Sequence, residues 1–251
     1  MASSPTEYFE SFDGVRIAWR EMGKGRPVVL IHGYFSDAAT NWIRYGHAAK
    51  IAAKGFRVIM PDLRAHGESD RPHDPAAYAP DTLTRDGHAL IAHLGLTDYD
   101  LGGYSLGART TSRMLATGAT PGRIVFAGMG LEGLLHTHRR VDHFRNILTR
   151  LGEHERGSPE WLAEAFLKTT KGDPVALLGI LNTFVDTEAE DVAGFVQPAL
   201  VVAGEEDQDN GSAPDLAAAL PNGRYAEVPG GHMSSVVKPE LGQAMADFLA
   251  A

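Results

Sequence analysis

The sequence predicts an α/β protein with a mostly parallel, eight-stranded sheet, helices on both faces and a helical insertion. Six short, fully apolar runs alternate with segments of helical periodicity, which is typical of buried parallel strands. Two alternating runs flank Asp13-Gly14 near the start of the chain, a hairpin signal that makes one edge of the sheet antiparallel. From about 132 to 195 the strand pattern stops and only helical patterns remain.

The individual elements follow from the periodicity of the apolar residues. The hairpin strands are expected at 7–12 and 15–21, where Val15, Ile17 and Trp19 alternate with polar or small residues. The later strands are expected at 28–31, 56–60, 99–103, 124–127, 199–203 and 224–228. The helices between and after them are expected at 42–53, 82–94, 106–117, 214–220 and 239–251.

The segment 132–195 interrupts this alternation. Helical patterns cover 141–151, 159–170 and 174–185. We expect 1–131 and 196–251 to form the core and 132–195 to form a helical cap over it. The alternative is a set of ordinary crossover helices that do not form a cap.

Composition and charge exclude several classes of protein. The 251 residues carry 23 basic and 32 acidic side chains, a net charge of −9, which disfavours a nucleic-acid binder because phosphate binding needs a concentrated basic surface. Hydrophobic residues make up 43% of the chain, which excludes wholesale disorder. The absence of cysteine removes disulfides, thiolate metal sites and a cysteine nucleophile, and is compatible with a reducing compartment.

The expected location and partners follow from what the sequence lacks. Residues 1–5 show no basic start, no apolar run follows them, and the longest apolar stretch, 174–181, is far shorter than the roughly 20 residues that span a bilayer. We therefore expect a cytoplasmic monomer or homodimer that acts on a small molecule and has no nucleic-acid partner and no membrane span.

The strand expected at 99–103 leads into Gly103-Tyr104-Ser105-Leu106-Gly107 and then a helix. Reactive residues of a parallel sheet belong at the carboxyl ends of its strands. The G-x-S-x-G pattern at such a place puts its serine on a strained strand-to-helix turn, where flanking glycines let the backbone pass closely. Ser105 is therefore a candidate nucleophile.

The loop Ile31-His32-Gly33-Tyr34 follows another expected strand and would lie above Ser105. Backbone N–H groups of Tyr34 and Leu106 would then form a pair that stabilises an anionic tetrahedral oxygen. We interpret His32 as a structural histidine that hydrogen-bonds its own loop.

A serine nucleophile of this kind needs a histidine and an acid on later strand ends, in the order serine, acid, histidine. His232 follows the last expected strand and suits a proton acceptor near neutral pH. Asp207, three residues beyond the glycine that ends the strand at 199–203, is the preferred acid that would orient its ring. Asp209 is the reserve candidate. The remaining candidates are Glu205, Glu206 and, more distantly, Glu132.

With these motifs the chain resembles the α/β-hydrolase superfamily over nearly its whole length. The segment 62–69 is also similar to that family's D-x-R-G-H-G-x-S turn, with Ala65 where glycine is usual. The resemblance implies the α/β-hydrolase fold, with Ser105 as nucleophile, Asp207 as acid and His232 as base. It implies only scaffold roles for the aspartate and the histidine of that turn, Asp62 and His66, and no metal or organic cofactor.

A serine at this position excludes the haloalkane dehalogenases and epoxide hydrolases, which need a carboxylate nucleophile. We expect an apolar pocket under the cap and a small or medium, uncharged ester or lactone as substrate. The residues expected to line the pocket are Tyr34, Phe35, Met129, Leu131, Leu134, Leu135, Phe144, Leu177 and Met233.

Three alternatives remain open for the function. One is a C–C bond hydrolase, although such enzymes usually have asparagine where this chain has Tyr104. The second is a lyase similar to the menaquinone-pathway synthase, in which an arginine at the position of Arg109 binds a carboxylate. Arg109 is alternatively a helix residue paired with a surface acid. The third is a protein of this fold that binds a ligand without turnover.

Overall fold

The eight expected strands form one sheet in a computed structural model that describes residues 4–251. The expectation that the chain starts without a secretory signal concerns in part residues 1–3, which lie outside the described residues. The strands are β1 Glu7–Glu10, β2 Arg16–Gly23, β3 Arg26–Ile31, β4 Phe56–Pro61, β5 Asp100–Tyr104, β6 Ile124–Ala127, β7 Ala199–Gly204 and β8 Gly223–Val228.

The strand order is β1-β2-β4-β3-β5-β6-β7-β8. The first hairpin pairs β1 with β2, and β2 also runs antiparallel to β4. Every other pair is parallel, so β3, β5, β7 and β8 all end at the same edge of the sheet. This edge is where the candidate catalytic residues were expected.

Ten α-helices accompany the strands in the described chain. They are α1 His47–Ala53, α2 Thr82–His93, α3 Leu106–Ala116, α4 Leu131–Leu135, α5 Val141–Thr149, α6 Pro159–Thr169, α7 Pro174–Ile180, α8 Ala189–Gly194, α9 Ala213–Ala219 and α10 Pro239–Ala250. Alternate strand residues face opposite sides: Val28 and Leu30 pack with α1 and α10, while Val29 and Ile31 pack with α2 and α3. The sheet is therefore covered on both faces, as predicted.

The predicted helix at 42–53 is interrupted. A short turn of π-helix, Ala39–Ile43, precedes α1, and Gly46 between them adopts φ 80°, a left-handed conformation that suits glycine and ends the first segment. The predicted helix at 174–185 likewise ends at Ile180 and continues as the 3₁₀ turn Leu181–Thr183.

Local signals explain where two helices of the insertion begin. Ser158 and Asp173 accept hydrogen bonds from the first backbone N–H groups of α6 and α7, and each precedes a proline at the first helical position. Helices α4 to α8 all lie between β6 and β7, and α4 and α8 were not expected. The division into a core and a cap at 132–195 stays a prediction.

Apolar side chains of this insertion are buried together with residues of the sheet and its loops. Ile147 and Leu148 of α5, with Leu177 and Ile180 of α7, belong to the same buried cluster as Tyr34. Among residues 4–251, no helix has the length and apolar character needed to cross a bilayer.

Candidate active site

Ser105 lies at the turn between β5 and α3 with φ 53° and ψ −109°. A non-glycine residue in this region stores about 1–3 kcal/mol of strain, and such strain is concentrated at functional sites. Tight packing enforces the turn: a Cβ atom at Gly107 would lie 2.0 Å from the Ile31 carbonyl oxygen, and one at Gly103 would lie 2.3 Å from the Gly107 carbonyl carbon. Gly107 is therefore required by the close approach of α3 to β3, and Gly103 by the close approach of α3 to β5.

The structure brings Ser105, His232 and Asp207 together. The Ser105 Oγ atom lies 3.0 Å from His232 Nε2, and His232 Nδ1 lies 2.9 Å from Asp207 Oδ2. The other oxygen of Asp207 accepts a hydrogen bond of 3.1 Å from the Asp209 backbone N–H group. Only 3% of the Asp207 side chain and 12% of the His232 side chain are exposed. This arrangement can take a proton from the serine hydroxyl and stabilise the resulting imidazolium.

Asp207→Asn is expected to reduce kcat by about 10⁴-fold, because an amide at this position no longer stabilises the imidazolium or holds the required tautomer. Asp209→Asn should have a far smaller effect, since the Asp209 carboxylate pairs with Arg140 at the border of the cavity and only its backbone N–H group bonds to Asp207. Steady-state kinetics of the two variants compare the roles directly. The reverse order of losses would transfer the role of acid to Asp209.

Tyr104 holds the loop that carries His232. Its hydroxyl donates to the His232 carbonyl oxygen at 2.5 Å and lies 3.0 Å from Ser235 Oγ, and its ring centroid is 5.4 Å from that of His232. Burial raises the pKa of the Tyr104 hydroxyl, which keeps it neutral and able to donate. Sequence reasoning assigned no role to this residue, although its position next to the serine in the motif was a signal.

The predicted oxyanion donors, the backbone N–H groups of Tyr34 and Leu106, have no acceptor among residues 4–251. Their surroundings are fixed: Asn41 Oδ1 accepts from the Gly33 N–H group at 3.0 Å, and the Tyr34 hydroxyl donates to the Leu177 carbonyl oxygen at 2.6 Å. Two free N–H groups beside Ser105 suit a developing negative charge. Their role stays a prediction.

Ser105 and His232 open into a cavity of about 440 Å³. Four of the predicted substrate-binding residues line it, namely Tyr34, Phe35, Phe144 and Met233. The lining also includes residues that were not predicted: Thr40, Asn41, Tyr45, Arg140, His143, Leu162, Phe166, Asp209 and Val236. A sequence signal for two of these pairs was their spacing of four residues, which places both members on one helix face. The pairs are Leu162 with Phe166 on α6 and Arg140 with Phe144 at α5.

The other predicted lining residues lie elsewhere. The buried cluster around β7 and α9 includes or contacts Met129, Leu131, Leu134 and Leu135. Leu177 is fully buried in the other cluster, which contains Tyr34. The reason is the short helix α4, which was not predicted. It turns the chain toward α9 directly after β6. The prediction for Met129, Leu131 and Leu135 as substrate-binding residues is wrong in this structure.

Both expectations for Arg109 are also wrong. The side chain lies outside the cavity lining and is buried, and no ion pair with a carboxylate is present for it in the described chain. It donates to Asn210 Oδ1 at 3.0 Å and lies over the Phe184 ring at 5.4 Å. Burial lowers the pKa of its guanidinium to about 10.

The scaffold expectations are confirmed. His32 Nδ1 contacts the Gly33 carbonyl oxygen at 2.8 Å, and Nε2 accepts from the Leu63 N–H group. Asp62 accepts from the Ala38 and Glu68 N–H groups, and burial lowers the pKa of His66. The remaining acid candidates stand apart from His232: the side chain of Glu132 pairs with Arg139, and Glu205 and Glu206 are exposed.

A mostly parallel eight-stranded sheet with a serine on its strand-to-helix turn, followed in the chain by an aspartate and a histidine, defines an α/β hydrolase. A family model described as the alpha/beta hydrolase fold matches residues 26–124. The non-heme chloroperoxidase CPO-A1 of Kitasatospora aureofaciens is 34% identical over 227 residues, which cover 78% of this chain and 79% of that protein. The chain belongs to the α/β-hydrolase fold family.

Two further relatives show how broad this similarity is. An epoxide hydrolase of Caballeronia sordidicola is 35% identical over 102 residues, 41% of this chain, and the match spans only 30% of that protein's length. The esterase EaEST from Exiguobacterium antarcticum superimposes with a TM-score of 0.79 at 19% identity, covering 98% of this chain and all of that one. The second similarity demonstrates the fold alone.

Proposed function

We propose that the protein is a serine hydrolase that cleaves a small or medium, mostly apolar carboxylic ester or lactone. The observation that carries this proposal is the hydrogen-bonded series Ser105, His232 and Asp207 at the floor of a 440 Å³ cavity with a largely apolar wall. A cavity of this size suits a small or medium organic molecule.

In the proposed mechanism, His232 Nε2 removes the proton of Ser105 while Oγ attacks the carbonyl carbon of the substrate. The tetrahedral oxyanion is stabilised by the Tyr34 and Leu106 N–H groups, a contribution of about 10²–10³ in rate for each donor. Protonated His232 then gives its proton to the leaving alcohol. Water, activated by the same imidazole, cleaves the acyl-enzyme and regenerates the serine.

The epoxide hydrolases stay excluded, and one of the three open alternatives, the lyase, loses support. The epoxide hydrolases attack with a carboxylate, whereas this chain has Ser105 at the end of β5. The lyase alternative relied on Arg109 as a carboxylate ligand, and Arg109 bonds to Asn210 away from the cavity. A C–C bond hydrolase uses the same three catalytic residues and is separated from an esterase only by assay.

The proposal is tested by covalent labelling with a fluorophosphonate probe, which reacts only with an activated serine. We expect one probe per chain, attached at Ser105 by peptide mapping, and no label after heat unfolding. A folded protein that takes up no probe would refute the hydrolase proposal and favour a non-catalytic ligand-binding protein.

Turnover of p-nitrophenyl esters of increasing acyl length, assayed beside lactones and vinylogous diketones, then distinguishes the substrate classes. We expect activity on short and medium esters or lactones that falls once the acyl chain outgrows the cavity. Chloroperoxidase activity is a second candidate because a relative that is 34% identical to this chain over 78% of its length bears that name. It is assayed with chloride and hydrogen peroxide on the same preparation.

A further inference from the structure

One ion pair joins the predicted cap to the loop that carries the candidate acid. Arg140, at the end of the 3₁₀ turn Thr137–Arg140, donates from Nη1 to the Asp209 backbone oxygen at 3.0 Å and to Asp209 Oδ2 at 2.9 Å. The Asp209 N–H group in turn donates to Asp207 Oδ1 at 3.1 Å. An unbroken series of hydrogen bonds therefore runs from Arg140 through Asp209, Asp207 and His232 to Ser105.

The same two residues bring opposite charges close to His232. Arg140, Asp209 and His232 all border the cavity. Burial alone would raise the pKa of the Asp209 carboxyl, but the charges of His232 and Arg140 outweigh burial and hold it below its ordinary value. The two opposite charges therefore lie side by side at the border of the cavity that His232 also lines.

The other titratable groups that face His232 come from three elements. Asp207 contacts the ring from the loop after β7, and Tyr104 contacts it from β5. His143 of α5 borders the same cavity and lies 3.7 Å from Glu160. Burial lowers the pKa of His143, which favours its neutral form. Arg140 is consequently the permanent positive charge of the cavity lining in the described chain.

We propose that Arg140 is a positioning residue: it orients the Asp209 backbone that holds Asp207, and its charge offsets that of Asp209 beside His232. The inference rests on the proposed serine hydrolase. Without Arg140, the unopposed Asp209 carboxylate favours protonated His232, which cannot accept the serine proton. Without the Asp209 charge, unopposed Arg140 favours neutral His232.

The two single variants should therefore shift the pH profile of the site in opposite directions. For Arg140→Ala, the midpoint of fluorophosphonate labelling should rise by about half a pH unit, which corresponds to roughly threefold slower labelling below the midpoint. For Asp209→Asn the midpoint should fall, and the double variant should return close to the wild-type midpoint. Arg140→Lys should keep the midpoint, because it retains the charge without the guanidinium geometry.

Arg139→Ala is the matched control. Arg139 is the adjacent arginine, lies outside the cavity lining, and pairs on the surface with Glu132. This variant should label like the wild type. Asp209→Asn breaks the same ion pair from the other side, so the test does not depend on the stability of Arg140→Ala alone.

Wild-type midpoints in both single variants, or shifts in the same direction, would overturn the inference. The His232 titration followed by NMR provides the same comparison without any reaction at Ser105. A wild-type protein that does not label would refute the proposed function, while the NMR midpoints would still decide the role of Arg140.

Discussion

Ser105→Ala is expected to reduce kcat for ester hydrolysis by on the order of 10⁴–10⁶, because no other described group can form the acyl-enzyme. The variant should fold normally, since alanine keeps the Cβ atom that already occupies the strained turn at φ 53°. Steady-state kinetics on the best p-nitrophenyl ester measure the loss, and circular dichroism with thermal unfolding verifies the fold.

Ser112→Ala is the matched control for this experiment. Ser112 lies in the same helix α3, is buried, and hydrogen-bonds Thr187 Oγ1 at 2.9 Å away from the cavity. Its loss should lower stability by about 1 kcal/mol and leave turnover unchanged. Wild-type turnover in Ser105→Ala would disprove the proposed mechanism.

Arg64→Ala is expected to lower the free energy of unfolding by about 3–5 kcal/mol, the usual cost of breaking a buried ion pair from one side. The Arg64 guanidinium is completely buried and binds Asp13 of the hairpin turn and Asp86 of α2 at 2.7 and 2.8 Å. It also donates to the Ala77 carbonyl oxygen at 2.7 Å. The variant leaves the Asp86 carboxylate buried with Ser11 as its remaining side-chain partner. Urea denaturation at pH 7 measures the loss.

The pH dependence of that loss has a definite sign. Burial already raises the pKa of the Asp86 carboxyl even though Arg64 lowers it, and removal of Arg64 should raise it further. A carboxyl with a raised folded-state pKa contributes most stability below its unfolded pKa and loses that contribution as pH rises through the folded pKa. The deficit of Arg64→Ala should therefore be smaller at pH 4 than at pH 7.

Arg150→Ala, which removes an exposed pair with Glu153, should cost less than about 1 kcal/mol at either pH. A deficit of that small size for Arg64→Ala would contradict the structural role assigned to the buried arginine.

Periodicity and strand-end motifs predict the strands and the residues that meet at Ser105. The predictions succeed because a short, fully apolar run fits a strand whose two faces are both covered by helices. They also succeed because the carboxyl ends of parallel strands share one edge of the sheet. The break at Gly46 escaped prediction because a glycine within a helical pattern permits the left-handed conformation that ends the segment but does not require it.

The cavity wall was less predictable for a physical reason. An apolar side chain after a strand packs equally well against substrate or against a neighbouring helix, and the short helix α4 decided this for Met129 and Leu131. The contact made by Arg140 is harder still to predict, because its partner Asp209 lies 69 positions away in the chain. Sequence periodicity carries no information about such a pair.

The insertion leaves the sheet after β6 and returns at β7, which are adjacent parallel strands paired from Ile124 and Ala199 onward. A segment that departs and returns at neighbouring strands can change in length or sequence without altering the strand register. We therefore expect that the predicted cap can be exchanged for the corresponding segment of a related hydrolase while the sheet is retained. The role proposed for Arg140 predicts that a graft without a counterpart of this residue shifts the pH profile of the site as well as its substrate choice.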